Sequence, residues 1–159
     1  MNATTRPGKS TRKGLEETTD RLRNLGETLI SAGAQGLAEA ALVLLDEAAR
    51  RAPAETAALR GSGYAARDGA VFSRVEQPDL TGRAAPPSPP SQAAPAEALR
   101  IQIGFDADCA ALQHEQTANP HPHGGRAKYL ESTMVEQGDR VLAVIAQKAQ
   151  EALMSEFDQ

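Results

Sequence analysis

An α+β fold, with helices at both ends of the chain and a small antiparallel sheet between them, is predicted by three features of the sequence. Apolar residues recur at three- and four-residue steps over residues 15–51 and again over 128–157. Asp68-Gly69 stands between two short apolar runs, a strong hairpin signal, and residues 99–105 alternate apolar with polar side chains. One domain is expected over residues 14–159, preceded by a disordered basic arm at 1–13 and interrupted by a flexible Pro-rich loop at 77–96.

The arm holds Arg6, Lys9, Arg12 and Lys13 without an acid, so a solvated tail is the expected reading and weak contact with DNA phosphate the alternative. The first helix follows. Leu22, Leu25, Leu29, Ala32, Leu37, Ala41, Leu44, Leu45 and Ala48 mark one stripe. Glu16, Glu17 and Asp20 near its start and Arg50 and Arg51 near its end complement the helix dipole. Gly33 and Gly36 cost about 1 kcal/mol each relative to Ala, which predicts a bend or a break into two shorter helices. Pro53 ends the segment.

Beyond Pro53 the period changes to that of strands. Gly63-Tyr64-Ala65-Ala66 and Ala70-Val71-Phe72-Ser73-Arg74-Val75 form the arms of the hairpin. Residues 77–96 hold six prolines and cannot pair as a central strand, because each proline lacks the ladder donor. This loop reads equally as an arm reaching a neighbouring subunit or as a mobile insertion. Leu99, Ile101, Ile103 and Phe105 then share one face of a half-buried strand, and a short strand at 110–114 is expected to complete the sheet. A last helix, residues 128–157, is expected to pack on the sheet, with Gly138 a candidate break.

Composition sets further bounds. The 159 residues are 40% apolar but only 3% aromatic, with no Trp, so the core must be built from Ala, Leu, Val and Ile. Such a thin core favours burial shared with neighbouring subunits. A net charge of −4 does not suit a protein that coats nucleic acid. The single cysteine, Cys109, forms no internal disulfide and fits a reducing compartment. No apolar run approaching the roughly 18 residues of a membrane span is apparent, so no membrane partner is expected and synthesis is assigned to the cytoplasm.

Two segments carry a resemblance. Arg51-Ala52-Pro53-Ala54-Glu55-Thr56-Ala57-Ala58-Leu59-Arg60-Gly61-Ser62 reads as a helix end, a Pro stop, a Thr-containing turn and a strand start. Ala110-Ala111-Leu112-Gln113-His114-Glu115 is followed by His121-Pro122-His123-Gly124-Gly125-Arg126-Ala127-Lys128-Tyr129-Leu130-Glu131. The first resembles the "aPvdTGxLrxS" segment, and the second the "YAxxxHE" and "HPxGGxAKYLE" segments, of small neck and tail-completion proteins of tailed bacteriophages, in the branch called minor capsid proteins. The resemblance covers roughly two thirds of the chain. It implies a structural virion protein without enzymatic activity or cofactor, acting in a ring of its own copies at the head-tail joint. Its implied partners are connector, tail-terminator or tail-tube proteins. It also points to Leu112, His114, Glu115, His121, His123, Lys128 and Tyr129 as interface candidates, with His114 and Glu115 ending a strand. Pro53, Thr56, Leu59, Ser62, Gly124 and Gly125 are turn or structural positions: Thr56 caps a turn, Ser62 bonds backbone where the strand begins, and the Gly pair takes positive φ. Lys128 and Glu131 are spaced to pair at i and i+3.

Two other readings stand beside this one. His114, Glu115, His121 and His123 could serve a small metal-dependent enzyme, but the second His follows the first by seven residues and Pro120 and Pro122 prevent a helix, so no zinc-ligand spacing results. A cytoplasmic helical adaptor unrelated to phage is the third. Neither a nucleophile motif, a P-loop nor a dinucleotide-binding glycine pattern is present.

Overall fold

In the computed structural model the described residues are 9–54, 57–67, 69–75, 100–118 and 120–157. They form helix α1 (Lys9–Arg51), a short α2 (Ala57–Gly61), strands β1 (Gly63–Arg67), β2 (Ala70–Arg74) and β3 (Ile101–Phe105), then helices α3 (Ala110–Glu115), α4 (Tyr129–Glu136) and α5 (Gly138–Phe157). The architecture is α+β. Residues 1–8, Thr56, Leu99 and the Pro-rich loop at 77–96 lie outside the described residues.

The first helix corrects two expectations. It begins at Lys9, so residues 9–13 belong to it and not to an arm, and it runs unbroken for 43 residues through Gly33 and Gly36. At Gly36 the cost is offset by what packs on the helix. A methyl group at Gly36 would stand 2.8 Å from the Cα of Ile145 in α5, so the absent side chain lets two backbones approach closely. At Gly33 nothing lies within 4 Å. Lys148 of α5 bridges to Glu39 across the same contact at 3.2 Å. The helix also carries an 18-residue window of mean hydropathy 1.5, long and apolar enough by composition to cross a membrane, where none was expected. The reason is that Leu, Ile, Val and Ala hold the average high even where polar residues interrupt the run. Of that window 44% is buried inside the protein.

The hairpin forms as predicted. β1 and β2 pair antiparallel around Gly69, whose φ of 81° is the left-handed conformation a tight turn needs. A bulge between Ala65 and Ala66 shifts their register. β3 pairs antiparallel with the other side of β1, with Ala65 opposite Ile103 and Gly63 opposite Phe105, giving the order β2-β1-β3. Gly63 is packed so tightly that a methyl there would meet Val75 at 2.7 Å, Leu45 at 3.0 Å and Phe105 at 3.1 Å. Leu42, Leu45 and Ala49 of α1 thus pack with Ala65, Val75, Phe72, Ile103 and Phe105 into one cluster. The C-terminal helix α5 reaches the sheet region through α1, along which it lies. The break before it falls at Gln137, between α4 and α5, where Gly138 predicts it.

Two strand expectations are replaced by helix. Residues 110–114 are not a fourth strand: they form α3, whose residues Ala, Leu, Gln and Glu favour helix, while β1 already has a partner on each side. The turn after Pro53 leads into α2 before the strand begins at Gly63.

A buried junction beside an open sheet edge

The two segments that carry the resemblance meet around Tyr129. Its ring is 1% exposed and packs among Ala52, Leu59 and Ala110. Phe105 and His114 contact it edge-on, with ring centroids 5.1 and 5.0 Å away. Its hydroxyl donates to the Ala110 carbonyl at 3.2 Å, which satisfies the buried polar tip. Burial pushes the Tyr129 phenol up to about 12, with nearby Cys109 adding to the effect. Thr133 one turn on is also buried and donates to the Tyr129 carbonyl at 2.6 Å. Tyr129 is therefore a core residue, and its expected place at an interface is corrected.

The loop that delivers Tyr129 is fastened to the end of α1. Arg126 N–H donates to the Arg51 carbonyl at 2.9 Å and Ala54 N–H to the Gly124 carbonyl at 3.0 Å. Gly124 and Gly125 take φ of 91° and 94°, as the sequence predicts, but for different reasons. Gly124 has open space around it. A methyl at Gly125 would lie 2.5 Å from both the Ala52 oxygen and the Pro53 Cα. Pro53 is itself fully buried, as is Leu59. Arg60 Nε donates to the Ala52 carbonyl at 2.9 Å, and the Ser62 hydroxyl donates to the Leu59 carbonyl at 2.8 Å, the backbone bond expected of it.

Charge gathers on the exposed side of the junction. Glu115 accepts from Lys128 Nζ at 2.6 Å and lies 2.9 Å from His114 Nδ1, while Lys128 also bridges to Glu131 at 3.2 Å. Lys128 holds the Glu115 carboxyl below the usual range and His114 adds to this; the same carboxylate raises Lys128. Lys128 starts α4 in the left-handed region at φ 54°, and its N–H donates to the His114 carbonyl at 2.8 Å. A second cluster was not legible in the sequence: Glu136 accepts from Arg51 and from Arg126 at 2.9 Å, and these two arginines lower its pKa. Glu136 stands 85 positions from Arg51, so no local spacing signals the pair.

The structure thus brings together His114, Glu115, Lys128 and Tyr129 with Pro53, Leu59 and Gly125. Leu112 stands exposed on α3, and His114 and Glu115 end that helix where a strand end was expected. His121 and His123 sit in the turn before Gly124, where the His121 carbonyl accepts from Gly124 N–H at 3.0 Å. Among the described residues no group of three or more His, Cys, Asp or Glu side chains is placed to share a metal ion.

Beside this cluster β3 forms the edge of the sheet among the described residues. Asp106 N–H donates to the Ser62 carbonyl, which sets the alternation so that Gln102 and Gly104 bond β1 while Ile101, Ile103 and Phe105 direct their backbone groups outward. A shallow groove of about 330 Å³ lies there between β3 and α3, lined by Tyr64, Ile103, Phe105, Ala111, His114 and Leu130. Compared with protein-family models, with curated proteins and with solved structures, the chain finds no match.

Proposed function

We propose that this chain is a structural virion protein of a tailed phage or prophage, one copy in a ring at the head-tail joint. The observation that carries the reading is the junction at Tyr129. The segments that resemble the neck-protein family lie far apart in sequence, yet they pack against one another: Pro53 against Gly125, Leu59 and Ala110 against Tyr129, Glu115 against Lys128. A likeness made of unrelated fragments would have no reason to converge on one site.

The mechanism is interface complementarity without turnover. An edge strand offers unpaired backbone groups to another chain. The edge of β3, with Leu112 and the Glu115–Lys128 pair on the adjoining helix ends, is the surface offered to a neighbouring copy or to a connector, tail-terminator or tail-tube protein. The core supports this division of labour: built largely of alanine and leucine, it gains from burial supplied by neighbours.

Deletion of the gene from a phage or prophage that encodes it tests the reading. Filled heads and free tails are expected by electron microscopy, with tailed particles restored by the wild-type gene. A Glu115→Lys copy is expected to yield folded protein, because surface changes seldom cost more than about 0.5 kcal/mol, and yet to fail in restoring particles. Normal tailed particles without the gene would overturn the proposal.

A further inference from the structure

Antiparallel strands bond only where the outward-pointing backbone groups of one face those of the other. On β3 these groups belong to Ile101, Ile103 and Phe105, since Gln102, Gly104 and Asp106 are turned to β1. Among the described residues no strand takes them. Ile103 and Phe105 also line the groove beside α3, so this stretch of edge can be reached from the side. Opposite charges flank the strand, Arg100 directly before it and Asp106 directly after it. By the two-residue period both belong to the face that carries Gln102 and Gly104. Arg100 is exposed and makes no ion pair with any described residue. Asp106 accepts from Arg74 at 2.8 Å, and its side chain remains 48% exposed.

We infer that this edge is covered by the same edge of a second copy, antiparallel about a two-fold axis through Ile103. The run Arg100-Ile101-Gln102-Ile103-Gly104-Phe105-Asp106 is complementary to its own reverse. Centred on Ile103, the outward residues meet one another: Ile103 faces Ile103, and Ile101 faces Phe105 of the second copy. Each such pair exchanges two backbone hydrogen bonds. Arg100 then faces Asp106 of the second copy, twice by symmetry, in a pair of the closer type with Cα atoms about 4.5 Å apart, where opposite charges attract. Other alignments are poorer on the same residues. Sliding by one residue turns outward groups against groups already bonded to β1. Moving the centre to Gln102 keeps the phase but sets Arg100 against Gly104 and carries Phe105 past the end of the partner strand. Moving it to Gly104 sets Asp106 against Gln102 and carries Ile101 past that end. A parallel copy gathers both Arg100 side chains at one end and both Asp106 side chains at the other. With the axis normal to the sheet, Ile103 and Phe105 of both copies keep to the face on which α1 packs. The contact closes on itself as a dimer and hides an edge that would otherwise invite further pairing. It concerns the free chain and does not rest on the virion reading. In a ring, where each copy meets the next through unlike faces, the pair opens and yields the edge to that neighbour.

Sedimentation equilibrium of the full chain tests it. The wild type is expected to show a concentration-dependent rise toward twice the 16.8 kDa of one chain. Ile103→Pro removes an outward N–H and leaves the ladder to β1 intact, a change that edge strands accept. It is expected to hold the chain at single mass with an unchanged far-ultraviolet circular dichroism spectrum. Arg100→Glu and Asp106→Lys, each alone, set like charges opposite one another twice, and each is expected to weaken the dimer by roughly tenfold. An equimolar mixture of these two variants restores opposite charges at both ends and is expected to recover association. Should the proline variant lose its spectrum, the two charge variants and their mixture carry the test. A wild-type chain at single mass up to about 1 mM would overturn the inference, as would a dimer indifferent to a folded Ile103→Pro change. A dimer that the single charge changes leave as it was, or that the mixture fails to recover, would overturn the antiparallel register.

Discussion

Replacing Gly36 by alanine and, separately, Gly33 by alanine separates two accounts of α1. The two glycines are three residues apart on one helix, and intrinsic propensity treats them alike: each change should stabilise by about 0.5–1 kcal/mol. Their surroundings differ. At Gly33 the new methyl meets nothing within 4 Å, so the propensity gain should appear whole. At Gly36 it would stand 2.8 Å from the Ile145 Cα and 3.4 Å from its carbonyl oxygen, and backbone cannot rotate away as a side chain can. Helices α1 and α5 must then separate by several tenths of an ångström along their contact. Overpacking of this kind costs about 1–3 kcal/mol, which exceeds the propensity gain. For a chain of this size 1 kcal/mol moves the thermal midpoint by about 2–4 °C. Calorimetry should therefore place Gly33→Ala about 2 °C above wild type and Gly36→Ala several degrees below it. A Gly36→Ala protein as stable as the Gly33→Ala one would refute the close packing of α5 on α1.

Other expectations follow from the Tyr129 junction. Gly125→Ala combines a left-handed φ with a backbone clash and should destabilise by more than about 3 kcal/mol, whereas Gly124→Ala, with the same φ but open space, should cost only about 1–2 kcal/mol in urea titrations. Tyr129→Phe loses the bond to the Ala110 carbonyl and should cost about 1 kcal/mol, against about 3–5 kcal/mol for Tyr129→Ala. The carboxyls of Glu47 and Glu136 are held below their ordinary 4.5, by Arg50 then Arg51 and by Arg51 then Arg126 respectively. A depressed folded value means that the stabilisation is present above 4.5 and is lost as pH falls through the folded value, so thermal midpoints should hold to about pH 5 and fall below it. Glu136→Gln should lower the midpoint at neutral pH and make the acid fall shallower. Tyr129 has the opposite sign: raised to about 12 in the fold, it should make stability decline as pH climbs from 10 toward 12.

Features held by local chemistry were legible in the sequence. Asp68-Gly69 between apolar runs predicts the hairpin because a two-residue turn needs a left-handed position. Gly124-Gly125 predicts positive φ for the same reason, and the alternation through Ile101 and Ile103 predicts β3. Features decided by distant partners were not. Six residues at 110–115 are too few to show a helical period, so a strand and α3 look alike until β1 is seen to have both neighbours. The fate of Gly36 is decided by Ile145, more than a hundred residues away. Nothing near Tyr129 marks it as the centre of the junction, because the walls around it come from Ala52 just after α1, Leu59 of α2, Phe105 of β3 and Ala110 of α3. The charged groups show the same limit: Lys128 and Glu131 are a readable i,i+3 pair, whereas Glu136 with Arg51 depends wholly on how α4 meets α1.

The place of the chain in a particle is the central claim, and immunogold electron microscopy of purified tailed particles tests it most directly. An antibody against this chain should label intact particles at the joint between head and tail, and the protein should be detected in their peptide mass spectra. Particles that contain none of the chain, or label confined to the capsid shell or the distal tail, would contradict it.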